Sequence, residues 1–228
     1  MQILFEDNHL IAVNKPAGWL VQGDQTGDKT LADFVKEYIK DRYNKPGDVF
    51  LGIIHRIDRP VSGVVVFART SKALERMNRL FQERKVKKTY WAVTAERPEP
   101  IEGKLEHYLL KDHQKNKTKA YTQIGRRTAK AKLSTLDYHL LASIGDNHLL
   151  EVNPHTGRPH QIRVQLSTLG TPIKGDLKYG YRKPNVDASI HLHSRKLSFI
   201  HPVKKEPVEI VGNPPPDQIW QLFSHLYD

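Results

Sequence analysis

The sequence predicts an α+β fold, a mixed, largely antiparallel central β-sheet flanked by helices and loops. Short β-branched runs recur along the chain, Val64-Val65-Val66-Phe67-Ala68 being the clearest, and stretches with helical spacing are fewer. The two kinds do not alternate regularly, which argues against a doubly wound parallel sheet. At 228 residues there is ample apolar content for a core. With no internal repeat and no break in composition, one domain spanning residues 1–228 is expected.

The elements follow in order. Ile3–Phe5 and Leu10–Val13, joined by Glu6-Asp7-Asn8-His9, read as a β-hairpin, and Asn14-Lys15-Pro16-Ala17-Gly18 breaks the second strand. Thr30 opens a helix carrying Leu31, Phe34, Val35, Tyr38 and Ile39 at amphipathic spacing, ending near Tyr43 before Lys45-Pro46-Gly47. Gly63–Arg69 reads as a strand, and Ser71 as the N-cap of a helix to about Arg84 with Leu74, Met77 and Phe81 as its buried stripe. Lys87–Val93 alternates as a strand does, and Arg97-Pro98-Glu99-Pro100 ends it. Further strands are expected at Lys132–Leu140, Asn147–Val152 and Ser189–Phe199.

Between the last two lies a loop entering a helix that stops at Gly170, with Pro159 tolerated in the first turn. On it Ile162, Leu166 and Leu169 share one face, and His160, Arg163 and Ser167 another. The polar residues then sit near a helix N-terminus, which favours anions. After Pro214-Pro215-Pro216, a closing amphipathic helix bearing Ile219, Trp220, Leu222, Phe223 and Leu226 should dock on the core.

Composition narrows the chemistry. There are 36 Lys and Arg against 25 Asp and Glu, a formal net charge of +11, so a polyanion is the first partner to consider, with binding that weakens as salt rises. An anionic membrane surface would need a long basic amphipathic helix, and none is found. The chain has no Cys, which excludes disulfides, a thiolate nucleophile and Cys-ligated zinc. No signal peptide opens the chain, and no apolar run approaches the roughly 18 residues of a membrane span; a soluble, cytoplasmic protein is expected.

The stretch that invites a catalytic reading is His55-Arg56-Ile57-Asp58, followed by Arg59-Pro60-Val61-Ser62-Gly63 and the apolar run Val64–Ala68. A carboxylate bracketed by arginines is most often a surface salt-bridge cluster, but a rigid strand behind it is how active sites deliver loop residues. Residues 111–132 gather Lys111, Lys115, Lys117, Lys119, Arg126, Arg127, Lys130 and Lys132 around Tyr121. That mixture suits phosphate neutralisation with base stacking, and equally an exposed hairpin of any basic protein. His191-x-His193 shares a strand face, but without Cys or a nearby carboxylate pattern no metal site is expected.

Taken together these segments resemble the RluA-type pseudouridine synthases. The motifs are His55-Arg56-Ile57-Asp58 with Ser62-Gly63, Lys88-Thr89-Tyr90, and Thr156-Gly157-Arg158 with His160-Gln161-Ile162-Arg163. They continue through Gly170-Thr171-Pro172-Ile173, Gly175-Asp176, Tyr179-Gly180, Leu192-His193 and Phe199-Ile200-His201-Pro202. Asn14, Ile57, Pro159 and Gln165 depart from the family's usual residues, none at a position its chemistry requires. The pattern starts almost at Met1, so the S4-type RNA-binding domain of many relatives is expected to be missing.

The resemblance implies a pseudouridine synthase fold with a basic catalytic cleft and an isomerase that needs neither cofactor nor metal. It breaks the N1–C1′ bond of a uridine in structured RNA, ribosomal or transfer, turns the base and joins C5 to C1′. Asp58 is then the essential carboxylate, acting on the ribose side or as a nucleophile, and Arg163 the basic residue that keeps it ionised. Tyr90 matches the tyrosine that packs on the uracil; by itself it reads as a core-filling strand residue. Arg56 matches an arginine that fills the space left by the flipped nucleotide. His55, Arg158, His160, Lys117, Lys119, Arg126 and Arg127 complete the expected RNA contacts, although the histidines also suit holding loops in place. The partner is RNA, no membrane is involved, and a monomer is expected.

Two other readings compete. A non-catalytic RNA-binding or ribosome-assembly protein on this fold would satisfy the charge alone, but Asp58, Tyr90 and Arg163 argue against it. An aspartate-dependent hydrolase needs a second carboxylate as acid or base, and no motif supplies one.

Overall fold

The structure, a computed structural model, describes residues 1–23 and 27–227. They form two compact units, one of residues 1–87 with 194–214 and one of 88–193 with 215–227. No helix among the described residues is long and apolar enough to cross a membrane.

The first unit begins with the expected hairpin, strands β1 (Gln2–Glu6) and β2 (Leu10–Lys15). Asp7 shapes its turn by accepting the backbone N–H groups of His9 and Leu10. Helix α1 (Leu31–Arg42) starts at Thr30, whose side chain accepts from the Asp33 N–H while Asp33 accepts from the Thr30 N–H. This reciprocal cap satisfies two N–H groups that would otherwise be orphaned. After a short β3 (Gly52–Ile53), strand β4 (Ser62–Ala68) is buried along its whole length. It pairs antiparallel with β2, setting Lys15 opposite Gly63 and Val13 opposite Val65.

Helix α2 (Ser71–Gln82) is capped by Thr70 rather than Ser71, because the Thr70 hydroxyl accepts from the Ala73 N–H. Its Ala73 and Met77 join Leu10, Ala12, Val64, Val66, Leu197, Phe199 and Ile210 in this unit's core. Leu74 and Phe81 pack only at its edge. Strand β10 (Leu192–Ile200) begins three residues later than expected and carries β11 (Pro207–Val211), unread in the sequence, beside it.

In the second unit β5 (Lys87–Thr94), β9 (Asn147–Pro154), β8 (Lys132–Ile144), β6 (Glu102–Asp112) and β7 (Lys117–Tyr121) lie in that order, each pair antiparallel. Strands β6 and β7 make the basic stretch after residue 111 part of a long hairpin. Helix α3 (Gln161–Thr168) packs Val164 against Leu109 and Tyr179. It is shorter than expected: His160 is its N-cap, held left-handed at φ 55°, which leaves Pro159 outside the helix instead of in its first turn.

The chain's end is also less helical than its spacing implies. Only α4 (Gln218–Gln221) and a 3-10 turn at Ser224–Leu226 form, with Asp217 capping α4 through the Ile219 and Trp220 N–H groups. The expected docking holds, since Trp220 and Phe223 pack with Trp91, Val93 and Leu149; Leu222, counted on the apolar face, stays exposed.

Candidate active site

Asp58 stands in the turn that feeds β4. Its carbonyl accepts from the Val61 N–H at 3.1 Å, closing the turn at Arg59-Pro60. Gly63 then makes the strand possible: at φ +118° its α-carbon lies so close to Ser194 that an added Cβ would come 2.4 Å from the Ser194 carbonyl oxygen. Only glycine satisfies both the angle and the approach. His55 accepts the Val66 N–H on Nε2 at 3.0 Å and stacks on Phe81, centroids 5.1 Å apart. Both contacts tie the loop to β4 and α2. Arg56 is exposed and its Nη1 reaches Gln22 at 3.3 Å.

Beneath this turn lies a residue the sequence reading passed over as strand-breaking punctuation. Lys15 is 1% exposed, and its Nζ donates to the carbonyls of Pro16, Trp19 and Arg59 at 3.0, 2.8 and 3.2 Å. The Arg59 carbonyl follows Asp58 directly, so the ammonium ties the Asp58 turn to the 15–19 turn. Burial pushes the Lys15 amine down to about 7, against the opposing pull of the Asp58 charge. The signal for it was the Lys-Pro pair; what hid it is that lysines are almost never fully buried.

The second unit gathers the other motifs. Tyr90 lies on β5 opposite Val152 of β9 and is half-buried. Beside it Lys88 donates to the Thr156 carbonyl at 2.8 Å and Thr89 to Asn153 Oδ1 at 2.9 Å. Thr156 in turn donates to Gln161 Oε1, which also accepts the Arg158 N–H, while Gln161 Nε2 donates to the Thr135 carbonyl. The buried side chains of Thr156 and Gln161 are thus both hydrogen-bonded, as burial requires.

Arg163 is buried to 5% exposure and makes a bidentate pair with Asp176, Nε to Oδ2 at 2.7 Å and Nη2 to Oδ1 at 2.9 Å. Its guanidinium lies 5.0 Å from the Tyr179 ring centre. The Tyr179 hydroxyl accepts the Thr118 N–H at 2.8 Å and lies 2.7 Å from His160 Nδ1, so one phenol joins β7 to the start of α3. Burial pushes the Tyr179 phenol up, which keeps it protonated.

Asp176 and Tyr179 stand in stretches quoted for the family resemblance, but their pairing with Arg163 was not foreseen. Thirteen residues separate Arg163 from Asp176, and no local periodicity links them. Gly175 turns the chain there at φ +86°. Lys117, Lys119, Arg126, Arg127 and Arg158 are all exposed. Lys117 also reaches the Tyr179 ring, 5.6 Å from its centre.

His191 lies 3.4 Å from Asp217, and His201 lies 3.1 Å from Asp7. Among the described residues no group of three or more His, Asp or Glu is arranged to hold a metal.

Asp58 is thus delivered by a strand buried along its length, and Arg163 is oriented by a carboxylate and an aromatic face, so each offers a positioned charge. The class becomes specific by comparison. Residues 9–168 match the RNA pseudouridylate synthase family model. The chain is 33% identical to tRNA pseudouridine synthase C of Vibrio parahaemolyticus, over 99% of this chain and 95% of that one. It is 30% identical to ribosomal large subunit pseudouridine synthase D of Zymomonas mobilis, over 99% of this chain and 73% of that one. Among solved structures, human RNA pseudouridylate synthase domain containing 4 superposes with a TM-score of 0.79 at 27% identity, covering 97% of this chain and 92% of that one. The chain belongs to the RNA pseudouridylate synthase family. It is an RNA pseudouridine synthase, an isomerase acting on uridine in RNA.

Proposed function

We propose that the substrate is a specific uridine in structured ribosomal or transfer RNA, and that Asp58, Tyr90 and Arg163 carry the reaction. Asp58 either attacks C1′ as the N1–C1′ bond breaks and is displaced again when C5 bonds there, or takes a ribose proton at that step and returns it afterwards. The freed uracil turns on the Tyr90 ring, C5 bonds to C1′, and the C5 proton leaves as N1 gains one, so nothing is added or lost. Arg163 supplies a fixed cation for the negative charge that moves during the reaction. Arg56 fills the gap left by the flipped nucleotide, which offsets part of the unstacking cost of a few kcal/mol.

The observation that supports this reading most is the investment in Arg163. A bidentate carboxylate and an aromatic face hold its guanidinium in one orientation, and a planar fork so fixed discriminates by direction as well as by charge. The exposed cations Lys117, Lys119, Arg126, Arg127 and Arg158 suit the RNA backbone. We place the enzyme in the cytoplasm as a monomer.

The test maps pseudouridines by carbodiimide primer extension in ribosomal and transfer RNA from cells with and without the protein, and with Asp58→Ala. The expected result is one or a few stops that vanish in both the deletion and the variant, while the purified variant binds RNA about as tightly as the parent. Stops that persist with Asp58→Ala refute the assignment. Binding without any protein-dependent stop favours a ribosome-assembly role.

A further inference from the structure

Arg59 follows Asp58 directly, yet the reaction outlined above leaves it without a task. Its Nε donates to the Gly18 carbonyl at 3.0 Å, and its own carbonyl accepts the Gly18 N–H at 2.8 Å. The backbone that carries Asp58 is therefore fastened to the turn that carries Trp19. Between them opens a cavity of about 240 Å³ lined by Gly18, Trp19, Asp28, Lys29, Phe34 and Arg59.

The lining is aromatic at the wall and cationic at the rim. Trp19 stacks on Phe34 with centroids 4.3 Å apart and planes at 25°, and both rings are half-buried. Lys29 Nζ lies 4.2 Å above the Phe34 ring. The acids that face these cations are at the surface. Arg59 pairs with Asp28 at 2.9 Å, each side chain 49% exposed, and Lys29 with Glu37 at 2.6 Å, side chains 47% and 56% exposed. Exposed pairs of this kind are worth little, so a phosphate can displace either acid at small cost.

We infer that this cavity is a second nucleotide site, in which a base of single-stranded RNA adjoining the target uridine lies against Trp19 while its phosphates meet Arg59 and Lys29. The inference rests on the proposed reading of the chain as a modifier of structured RNA. Stacking on an aromatic wall is how proteins hold unpaired bases, and it tolerates sequence because every base has a π face. The cavity has room for one base, and only an unpaired base offers its face to such a wall, which points to a loop or bulge. Its fusion to the Asp58 turn means that filling it would anchor the strand one residue from the reactive carboxylate.

The protein supplies its own reporter. Of the three tryptophans, Trp91 and Trp220 are 5% and 1% exposed, and Trp19 alone lines the cavity. Titrating the full chain with a single-stranded decauridylate should quench tryptophan emission, with binding followed in parallel by anisotropy of a labelled oligonucleotide. Trp19→Phe, which keeps an aromatic wall, should lose the quench yet bind within about 3-fold of the parent. Trp19→Ala should weaken binding about 5-fold or more, the loss of one stacked base, and Arg59→Gln should weaken it by a smaller factor that shrinks as salt rises. A parent that binds without quenching overturns the inference, as does a quench that survives in Trp19→Phe or undiminished binding in Trp19→Ala. Should Trp19→Ala fail to fold, Trp19→Phe and Arg59→Gln decide. Pseudouridine formed by the parent, with KM unmoved in all three variants, refutes the cavity and spares the reaction. Quenched binding by a parent that forms no pseudouridine does the reverse.

Discussion

Asp176 offers the sharpest test of how the site is built. Replacing it with alanine removes two acceptors of the Arg163 guanidinium, at 2.7 and 2.9 Å, inside a pair whose side chains are 6% and 1% exposed. Solvent cannot take over at that depth. Breaking one partner out of a buried pair costs about 3–5 kcal/mol, mostly the penalty of the charge left behind. Two charge-assisted hydrogen bonds at about 1.5–3 kcal/mol each sum to about 3–6 kcal/mol, which overlaps that range. For a chain of this size about 2–4 °C of melting temperature goes with each kcal/mol, so Asp176→Ala should melt about 6–20 °C lower by calorimetry. Asp176→Asn keeps one oxygen acceptor and should lose roughly half as much. Activity should separate the roles further: in Asp176→Asn, assayed well below its melting point, kcat should fall with KM nearly unchanged, because the arginine's aim is altered and the RNA surface is not. An Asp176→Ala protein that melts with the parent and turns over normally refutes the argument that this carboxylate orients Arg163.

Two further outcomes follow from the Asp58 turn. The folded chain releases the Lys15 proton near pH 7, whereas the unfolded chain holds it to the ordinary 10.5, so the unfolded state binds more protons in between and stability rises with pH across that window. Urea midpoints at pH 6.5, 8 and 9.5 should show the parent gaining on Lys15→Met as pH rises; a flat or falling difference would mean that Lys15 stays charged. Gly63→Ala must accept both a left-handed angle and a Cβ 2.4 Å from a backbone oxygen, and should lose about 3 kcal/mol or more. Thermal melting like the parent's would show that the β4 backbone there has another conformation.

What the sequence disclosed, and what it concealed, divides along physical lines. Strand β4 was legible because Val64–Ala68 is buried on both faces and so reads as an unbroken apolar run. Helix α1 was legible because its period and its cap agree, down to the reciprocal Thr30–Asp33 bonds. Strand β6 was not, since Glu102, Lys104 and Glu106 face outward along it and dilute the apolar signal. The closing helix was overread: five apolar residues have the spacing, but the chain needs only Trp220 and Phe223 inside and breaks into α4 and a 3-10 turn. The site followed the same rule. Asp58, Tyr90 and Arg163 were named because each sits in a local motif. The Lys15 cradle and the Arg163–Asp176 pair were missed because they exist only once distant turns meet.

The protein's cations consequently fall into two populations with different work. Those turned inward each meet a defined partner: Arg163 has Asp176, Lys15 has three carbonyls, and Arg195 has the Gly212 carbonyl and Asn213 Oδ1. Their task is geometric, and salt reaches them poorly because buried pairs are weakly screened. Those turned outward, Lys117, Lys119, Arg126, Arg127 and Arg158 among them, contribute to the excess of +11 and face a solvent whose ions compete with RNA phosphates. Raising salt should therefore strip RNA from the protein long before it disturbs these buried pairs. On this division KM carries the salt dependence and kcat does not, even though both depend on basic side chains.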